Sequence, residues 1–104
     1  MSNPKRDRLW SQLTDSAKRL IEENYSSCNL KDLILDEIDD VVSMGISPNS
    51  GIIEAGLEKC VKQAISLAER YDKDVCYYLQ ISFGPGKRWF YNYVIHYMKR
   101  ITDL

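Results

Sequence analysis

The sequence predicts an all-α fold, a compact bundle of four to five helices that forms a single helical domain over residues 1–104. Apolar residues recur at spacings of three and four along most of the chain, as they do in helices with one buried face. The composition, 44% hydrophobic and 28% charged over 104 residues, is that of one globular core. The alternative is an α+β fold, in which three helices are followed by a C-terminal β-hairpin over residues 75–98.

A first helix is predicted from Pro4 to about Asn24. Asn3 is a preferred capping residue, and proline is favoured at the first position of a helix. Apolar side chains then follow at helical spacing: Leu9, Trp10, Leu13, Ala17, Leu20 and Ile21. A short polar stretch after Asn24 ends the helix.

The next two helices are delimited by capping residues and a glycine. Asn29 is expected to cap the second helix, and Gly45 to end it in the left-handed conformation that glycine adopts readily. Either Ser47 or Ser50 is expected to begin the third helix. Gly56 lies inside this third helix and weakens it by about 1 kcal/mol relative to alanine, unless it permits a close contact.

The C-terminal third of the chain allows two interpretations. Residues 75–83 are rich in strand-forming side chains, and large apolar residues occupy every second position from Val75 to Phe83. A Gly-Pro-Gly turn follows at residues 84–86, as in a β-hairpin. Beyond that turn the polar residues recur in steps of four, four and three, which is the spacing of a helix rather than of a strand. They are Arg88, Asn92, His96 and Lys99. The helical interpretation is therefore preferred over the hairpin.

The cysteine content bears on the compartment. The chain has three cysteines, which are Cys28, Cys60 and Cys76. Their number is odd, their spacing is wide and no two of them form a CxxC pair, so no disulfide framework is expected. A chain with unpaired cysteines fits a reducing compartment. The sequence also has no run of 18 apolar residues and no secretory signal. A cytoplasmic protein without a membrane partner is the resulting prediction.

The second predicted helix carries an unusual concentration of negative charge. Residues 29–58 hold one basic and seven acidic residues, whereas the whole chain has a net charge of only −1. Four aspartates fall within about a quarter-turn of the helix, and we call them the acidic face: Asp32, Asp36, Asp39 and Asp40. Lys31 is the only neighbouring cation expected to compensate them. The acidic face is therefore predicted to dock a basic partner protein.

The same helix allows a metal-binding alternative. Asp36, Asp39 and Asp40 have the shape of a magnesium-binding aspartate motif. Glu37 and Asp40, followed by two valines, resemble the ExxD half of the metal site in all-α nucleotide pyrophosphohydrolases. That resemblance implies a metal-dependent hydrolase, but the ExxE pair of the family's earlier helix is missing here. We therefore predict no metal site and no cofactor.

Aromatic residues are concentrated near the C-terminus. Nine of the eleven lie between Tyr71 and Tyr97, more than a domain of this size is expected to bury. Trp89 and Tyr91 are predicted to stay partly exposed and to anchor a partner, which in a homodimer would be a second copy. In the alternative, one face of the last helix packs into the core. The residues of that face are Trp89, Phe90, Tyr93, Val94, Tyr97 and Ile101.

Basic residues flank these aromatics and suggest a nucleic-acid-binding alternative. Lys87, Arg88, Lys99 and Arg100 are the cations that would follow the phosphates while the rings stack on bases. A net charge of −1 and a pI of about 5.8 argue against a dedicated nucleic-acid-binding protein.

No catalytic set is visible in the sequence. His96, the single histidine, has no cysteine or carboxylate three or four residues away that could complete a zinc or nucleophile site. The chain is therefore predicted to be a small non-catalytic protein-interaction module. An inhibitor, an immunity protein or a regulatory adaptor fits its size and charge, docking its partner through the acidic face and the aromatic anchors.

Overall fold

The computed structural model describes residues 3–84 and 86–102, and the side chains of residues 3–84 and 86–100. These residues form six α-helices, a short 3₁₀ turn at Ser26–Cys28 and no strand. The helices are α1 (Pro4–Gln12), α2 (Asp15–Asn24), α3 (Lys31–Ser43), α4 (Gly51–Tyr71), α5 (Val75–Phe83) and α6 (Trp89–Thr102). The all-α prediction is confirmed, and the count exceeds the predicted four to five by one.

The extra helix arises because the predicted first helix is divided into α1 and α2, although its apolar residues keep helical spacing throughout. The prediction of one helix from Pro4 to Asn24 is wrong, because Leu13 adopts an extended conformation (φ −72°, ψ 156°). Thr14 then caps α2: its hydroxyl accepts a hydrogen bond from the N–H of Ala17 at 3.1 Å. The Thr14 side chain also hydrogen-bonds to Glu54 in α4, which ties the break to the centre of the bundle. A capping side chain with a tertiary partner thus outweighs continuous helical spacing.

The connection between α2 and α3 also differs from the prediction. Asn29 does not cap a helix; its backbone is left-handed (φ 58°, ψ 43°), a conformation that asparagine tolerates, and Leu30 precedes α3 instead. The turn is held by Tyr25, whose hydroxyl donates to the carbonyl of Leu57 at 2.7 Å. The Tyr25 ring is buried and meets Phe83 edge-on. Asn29 follows this long-range anchor and ends the 3₁₀ turn, where its N–H donates to the carbonyl of Ser26.

The entry into α4 follows the prediction. Gly45 has a φ of 108°, so it supplies the left-handed residue at the end of α3. Of the two serines considered, Ser50 caps α4: its hydroxyl accepts from the N–H of Ile52 at 3.3 Å.

Helices replace the alternative hairpin in the C-terminal third. Asp74 caps α5 by accepting the N–H of Cys76 at 3.0 Å, which favours a helix over the strand suggested by the alternating side chains. Gly86 (φ 104°) and Arg88 (φ 47°) are both left-handed and turn the chain into α6. Pro85, the centre of the predicted Gly-Pro-Gly turn, lies outside the described residues.

Helix α4 is the central element, and it packs against α2, α5 and α6. Its inward residues are buried, and they are Ile53, Gly56, Leu57, Cys60 and Ala64. Gly56 permits a close contact, as expected: a Cβ added there would lie 2.9 Å from Cε1 of Phe90 and 3.0 Å from Cγ2 of Val94. The absence of a side chain at Gly56 therefore sets how closely α6 approaches α4.

The expectation that no cysteines are paired is wrong. Cys28 in the 3₁₀ turn and Cys76 in α5 form a disulfide whose Cα atoms are 5.5 Å apart. Sequence spacing could not reveal it, because the two residues are separated by 48 positions and meet only through tertiary packing, in which Tyr25 contacts Phe83. Cys60 is buried and free, and burial raises the pKa of its thiol to about 11.

None of the described helices is both long enough and apolar enough to cross a membrane. The cytoplasmic location stays a prediction, and the Cys28–Cys76 disulfide removes the cysteine argument for it.

Candidate functional site

The acidic face lies against the first helix, where basic side chains meet it. Arg6 donates to both carboxylate oxygens of Asp36, at 3.1 Å and 2.9 Å, and approaches Asp32 at 3.7 Å. Lys5 lies 2.9 Å from Asp39. The hydrogen bonds to Asp36 and Asp39 raise the pKa of Arg6 and of Lys5, respectively. Two cations of α1 therefore contact three of the four aspartates.

Arg88 engages the remaining aspartate and a buried glutamate. Its Nη2 atom lies 2.9 Å from Oε2 of Glu37 and 2.8 Å from Oδ2 of Asp40, and its Nε donates to both oxygens of Glu37. The side chain of Glu37 is only 9% exposed. The guanidinium also lies 3.9 Å from the centre of the Tyr91 ring. Hydrogen bonding to Glu37 is the main cause of a raised pKa at Arg88.

These contacts change the electrostatic character of the acidic face. The expectation that Lys31 alone compensates it is wrong: Lys31 lies over the Trp10 ring at 4.0 Å, while the carboxylates pair with Lys5, Arg6 and Arg88. Most of the negative charge on α3 is thus balanced within the chain. Asp32 and Asp36 keep 76% and 57% of their side chains exposed, so the docking of a basic partner there stays a prediction.

The carboxylates of the metal-binding alternative are bound to a cationic side chain of the same chain. Glu37 and Asp40, the two residues that resemble an ExxD half-site, both bind the guanidinium of Arg88. Within residues 3–84 and 86–102, no group of three metal-ligating side chains is arranged to hold a metal ion.

The C-terminal helix buries some of its side chains completely and leaves others partly exposed. Phe90 and Val94 are fully buried, whereas Trp89 and Tyr91, the expected anchors, are half-buried, the latter against Arg88. The most exposed aromatic ring of α6 is that of Tyr97, at 42%. Outside α6, Tyr71 and Tyr77 are also exposed. Ile101 is a core residue in the alternative interpretation of α6, and its side chain lies outside the described side chains.

A groove runs between α4 and α6 beside Tyr97. One recess, of about 180 Å³, is lined by Gly51, Ile52, Ala55, Tyr93 and Tyr97. A wider recess, of about 540 Å³, shares Ala55 and Tyr93 with the first and extends along α4. Its other lining residues are Glu58, Lys59, Lys62 and Gln63. We call the two recesses together the tyrosine groove.

The tyrosine groove has small residues on one wall and aromatic residues on the other. Tyr93 and Tyr97 are one helical turn apart on α6, with ring centroids 6.2 Å from each other and planes tilted by 32°. On α4 the positions opposite them include Gly51, where an added Cβ would meet nothing within 4 Å, and the exposed Ala55. The alternative interpretation of the sequence had Tyr93 and Tyr97 in the core. Spacing on one helix does not show how far a neighbouring helix covers that face, and Tyr97 is 42% exposed.

The four basic residues of the nucleic-acid alternative are not brought together. Arg88 is bound to Glu37 and Asp40 before α6 begins. Lys99 and Arg100 lie in the last turn of α6, which is about 17 Å from Arg88 along the helix axis.

Comparison of the chain with protein-family models, with curated proteins and with solved structures finds no match.

Proposed function

We propose that this chain is a small protein-interaction module that binds a segment of a partner protein in the tyrosine groove. The observation that carries this proposal is the position of Tyr97. Its ring is 42% exposed at the edge of a concave surface, directly beside Tyr93, in a helix whose other large rings are buried or half-buried. Tyrosine is enriched at the centres of protein interfaces, because it offers a large rigid ring and a polar hydroxyl.

The shape of the tyrosine groove supports the proposal. A side chain of a partner can enter between the tyrosines and the α4 wall, because Gly51 and Ala55 leave that space open. Covering Tyr97 and Ile52 would remove apolar surface from water, which is the main driving force of association. Contact with a concave surface also excludes water more completely than contact with an isolated ring.

A tyrosine outside the groove offers a comparison. Tyr77 on α5 is 54% exposed, but its ring already packs edge-on against Tyr78, with centroids 5.1 Å apart. Lys73 lies 5.8 Å from the centre of the same ring. Tyr77 is therefore a matched control for exposure and residue type.

The role expected from the sequence, that of an inhibitor, an immunity protein or a regulatory adaptor, belongs to this proposal. The acidic face is a second candidate surface, for a basic partner, because Asp32 and Asp36 keep most of their side chains exposed. Asp32→Lys reverses the charge at an exposed position of that surface. The variant loses a long 3.7 Å contact with Arg6 and a favourable charge in the first turn of α3, so we expect a modest loss of stability and a retained fold.

The test is quantitative capture of partners from the native host by four forms of the chain: the wild type, Tyr97→Ala, Tyr77→Ala and Asp32→Lys. We expect a protein that is captured by the wild type and by Tyr77→Ala and is lost with Tyr97→Ala. Circular dichroism and thermal unfolding of each variant serve as controls for folding.

Two outcomes would contradict the proposal. If captured proteins are the same for Tyr97→Ala as for the wild type, the tyrosine groove does not bind them. If capture is lost with Asp32→Lys and retained with Tyr97→Ala, the acidic face is the binding surface.

A further inference from the structure

The tyrosine groove carries positive charge along the α4 wall. Lys59 lies with its Nζ atom 5.2 Å from the centre of the Tyr93 ring, so its charge is held at the border of the apolar surface. Lys62 is one turn further along α4 and is 75% exposed. Glu58, 3.7 Å from Lys62, is the single acidic residue among those that line the two recesses.

Positive charge continues along the α6 wall. Arg100 is exposed and follows Tyr93 by seven residues and Tyr97 by three, so the three side chains project from the same face of α6. Glu54, the other acid on the first half of α4, hydrogen-bonds to Thr14 and so faces α2 rather than α6. The balance of charge around the tyrosine groove is therefore positive, although the whole chain has a net charge of −1.

We infer that the occupant of the tyrosine groove is an acidic, amphipathic helix of a partner protein. Its apolar face would cover Tyr93, Tyr97 and Ile52, and its carboxylates would pair with Lys59 and Lys62. The groove extends from Gly51 to Gln63 on α4, a length of about 18 Å, which matches roughly three turns of a third helix. This inference rests on the proposed function and adds the sign of the partner's charge.

A second copy of the chain is a less suitable occupant. Its own acidic surface is on α3, where the carboxylates already bind Lys5, Arg6 and Arg88. Docking α3 of one copy into the groove of another would place carboxylates that already have cationic partners against Lys59 and Lys62. Complementarity of charge thus favours a different protein.

The experiment selects ligands from a displayed library of helical peptides whose polar positions are randomised between Glu, Gln and Lys. Wild-type protein is the target, and the Tyr97→Ala variant is used for counter-selection. We expect the enriched peptides to carry net negative charge. The double variant Lys59→Glu/Lys62→Glu should weaken their binding at least about tenfold, and added salt should weaken binding to the wild type.

A matched variant controls for the overall change in charge. Arg8→Glu/Lys87→Glu alters the net charge by the same amount at two exposed positions that do not line the groove, and it should leave peptide binding within about twofold.

Each result separates this inference from the function on which it rests. If enriched peptides require Tyr97 but are basic or neutral, or bind the Lys59→Glu/Lys62→Glu variant equally well, the sign of charge is wrong and the groove remains a binding surface. If no enriched peptide depends on Tyr97, both proposals fail. If sedimentation shows that the wild type self-associates and that Tyr97→Ala is monomeric, a second copy occupies the groove and the inference is overturned.

Discussion

Arg88 and Glu37 form a two-point ion pair between the start of α6 and the middle of α3. The guanidinium contacts Glu37 through Nε and Nη2 at 2.9–3.2 Å and reaches Asp40 at 2.8 Å. Arg88 achieves this from a left-handed backbone conformation, φ 47°, that is unfavourable for a residue with a side chain. The pair therefore fixes where α6 begins, and it removes charge from the face that the sequence suggested for docking.

Replacing Arg88 should cost more stability than replacing any other cation of the acidic face. In Arg88→Ala the carboxylate of Glu37 stays largely buried without its partner, so we expect the free energy of unfolding to fall by about 2 kcal/mol. Lys5→Ala breaks an exposed pair that solvent screens, so it should change the free energy of unfolding far less than Arg88→Ala does. Urea denaturation of both variants checks this, and equal effects would show that the Arg88–Glu37 pair is not structural.

The contact between Gly56 and Phe90 predicts an unusual response to alanine. Gly→Ala inside a helix normally stabilises the protein. At Gly56, however, the new methyl group would overlap the buried side chains of Phe90 and Val94, so we expect the free energy of unfolding to fall by about 1–3 kcal/mol. Gly51→Ala is the control on the same helix, where nothing lies within 4 Å, and it should be neutral or stabilising by up to about 1 kcal/mol. A stabilising Gly56→Ala in thermal unfolding would contradict the close packing of α4 and α6.

The Cys28–Cys76 disulfide predicts a single titratable thiol. In denaturant without reductant, thiol titration should detect Cys60 alone, and three thiols after reduction. Because the bridge closes a loop of 48 residues, we expect Cys28→Ser/Cys76→Ser to lower the free energy of unfolding by about 2–4 kcal/mol under oxidising conditions. Three thiols in the unreduced protein would contradict the pairing.

Stability should decline at alkaline pH. Burial raises the pKa of the Cys60 thiol from 9.0 to about 11 and raises that of the Tyr25 hydroxyl as well. The unfolded chain therefore loses these protons first. The contribution of the Cys60 thiol to stability is complete below pH 9 and is lost as the pH rises through about 11.

The Cys60→Ala variant isolates the contribution of the thiol. Its decline in the free energy of unfolding between pH 9 and 11 should be smaller than that of the wild type, by an amount on the order of 2 kcal/mol. Denaturation curves at several pH values check this, and parallel declines in the two proteins would refute the effect of Cys60.

Local signals in the sequence were enough to predict most helices of the bundle. The Asn3-Pro4 start, the Gly45 end and the Ser50 cap are each determined by neighbouring backbone groups, and the structure confirms them. The break at Thr14 and the left-handed Asn29 could not be predicted in this way. They depend on Glu54 and on Leu57, which lie about 30 to 40 residues away in the chain.

The candidate site could be predicted only in part, for the same reason. Helical spacing correctly placed the four aspartates on one face, but it could not show that α1 and Arg88 supply their counter-charges. It also indicated that some aromatic surface would stay exposed. Which ring is exposed depends on how far α4 covers α6, and this is set by the absence of a side chain at Gly56.

The most direct test of the tyrosine groove is the affinity of a captured partner, or of a selected peptide, for the wild type and two single variants. Isothermal titration calorimetry should show at least about a tenfold loss of affinity for Tyr97→Ala, because truncating a tyrosine that anchors an interface costs about 2 kcal/mol or more. Tyr77→Ala removes a ring outside the groove that is 54% exposed, more than the 42% of Tyr97, and it should change the affinity by less than about twofold. Equal affinities for the wild type and Tyr97→Ala would contradict the account.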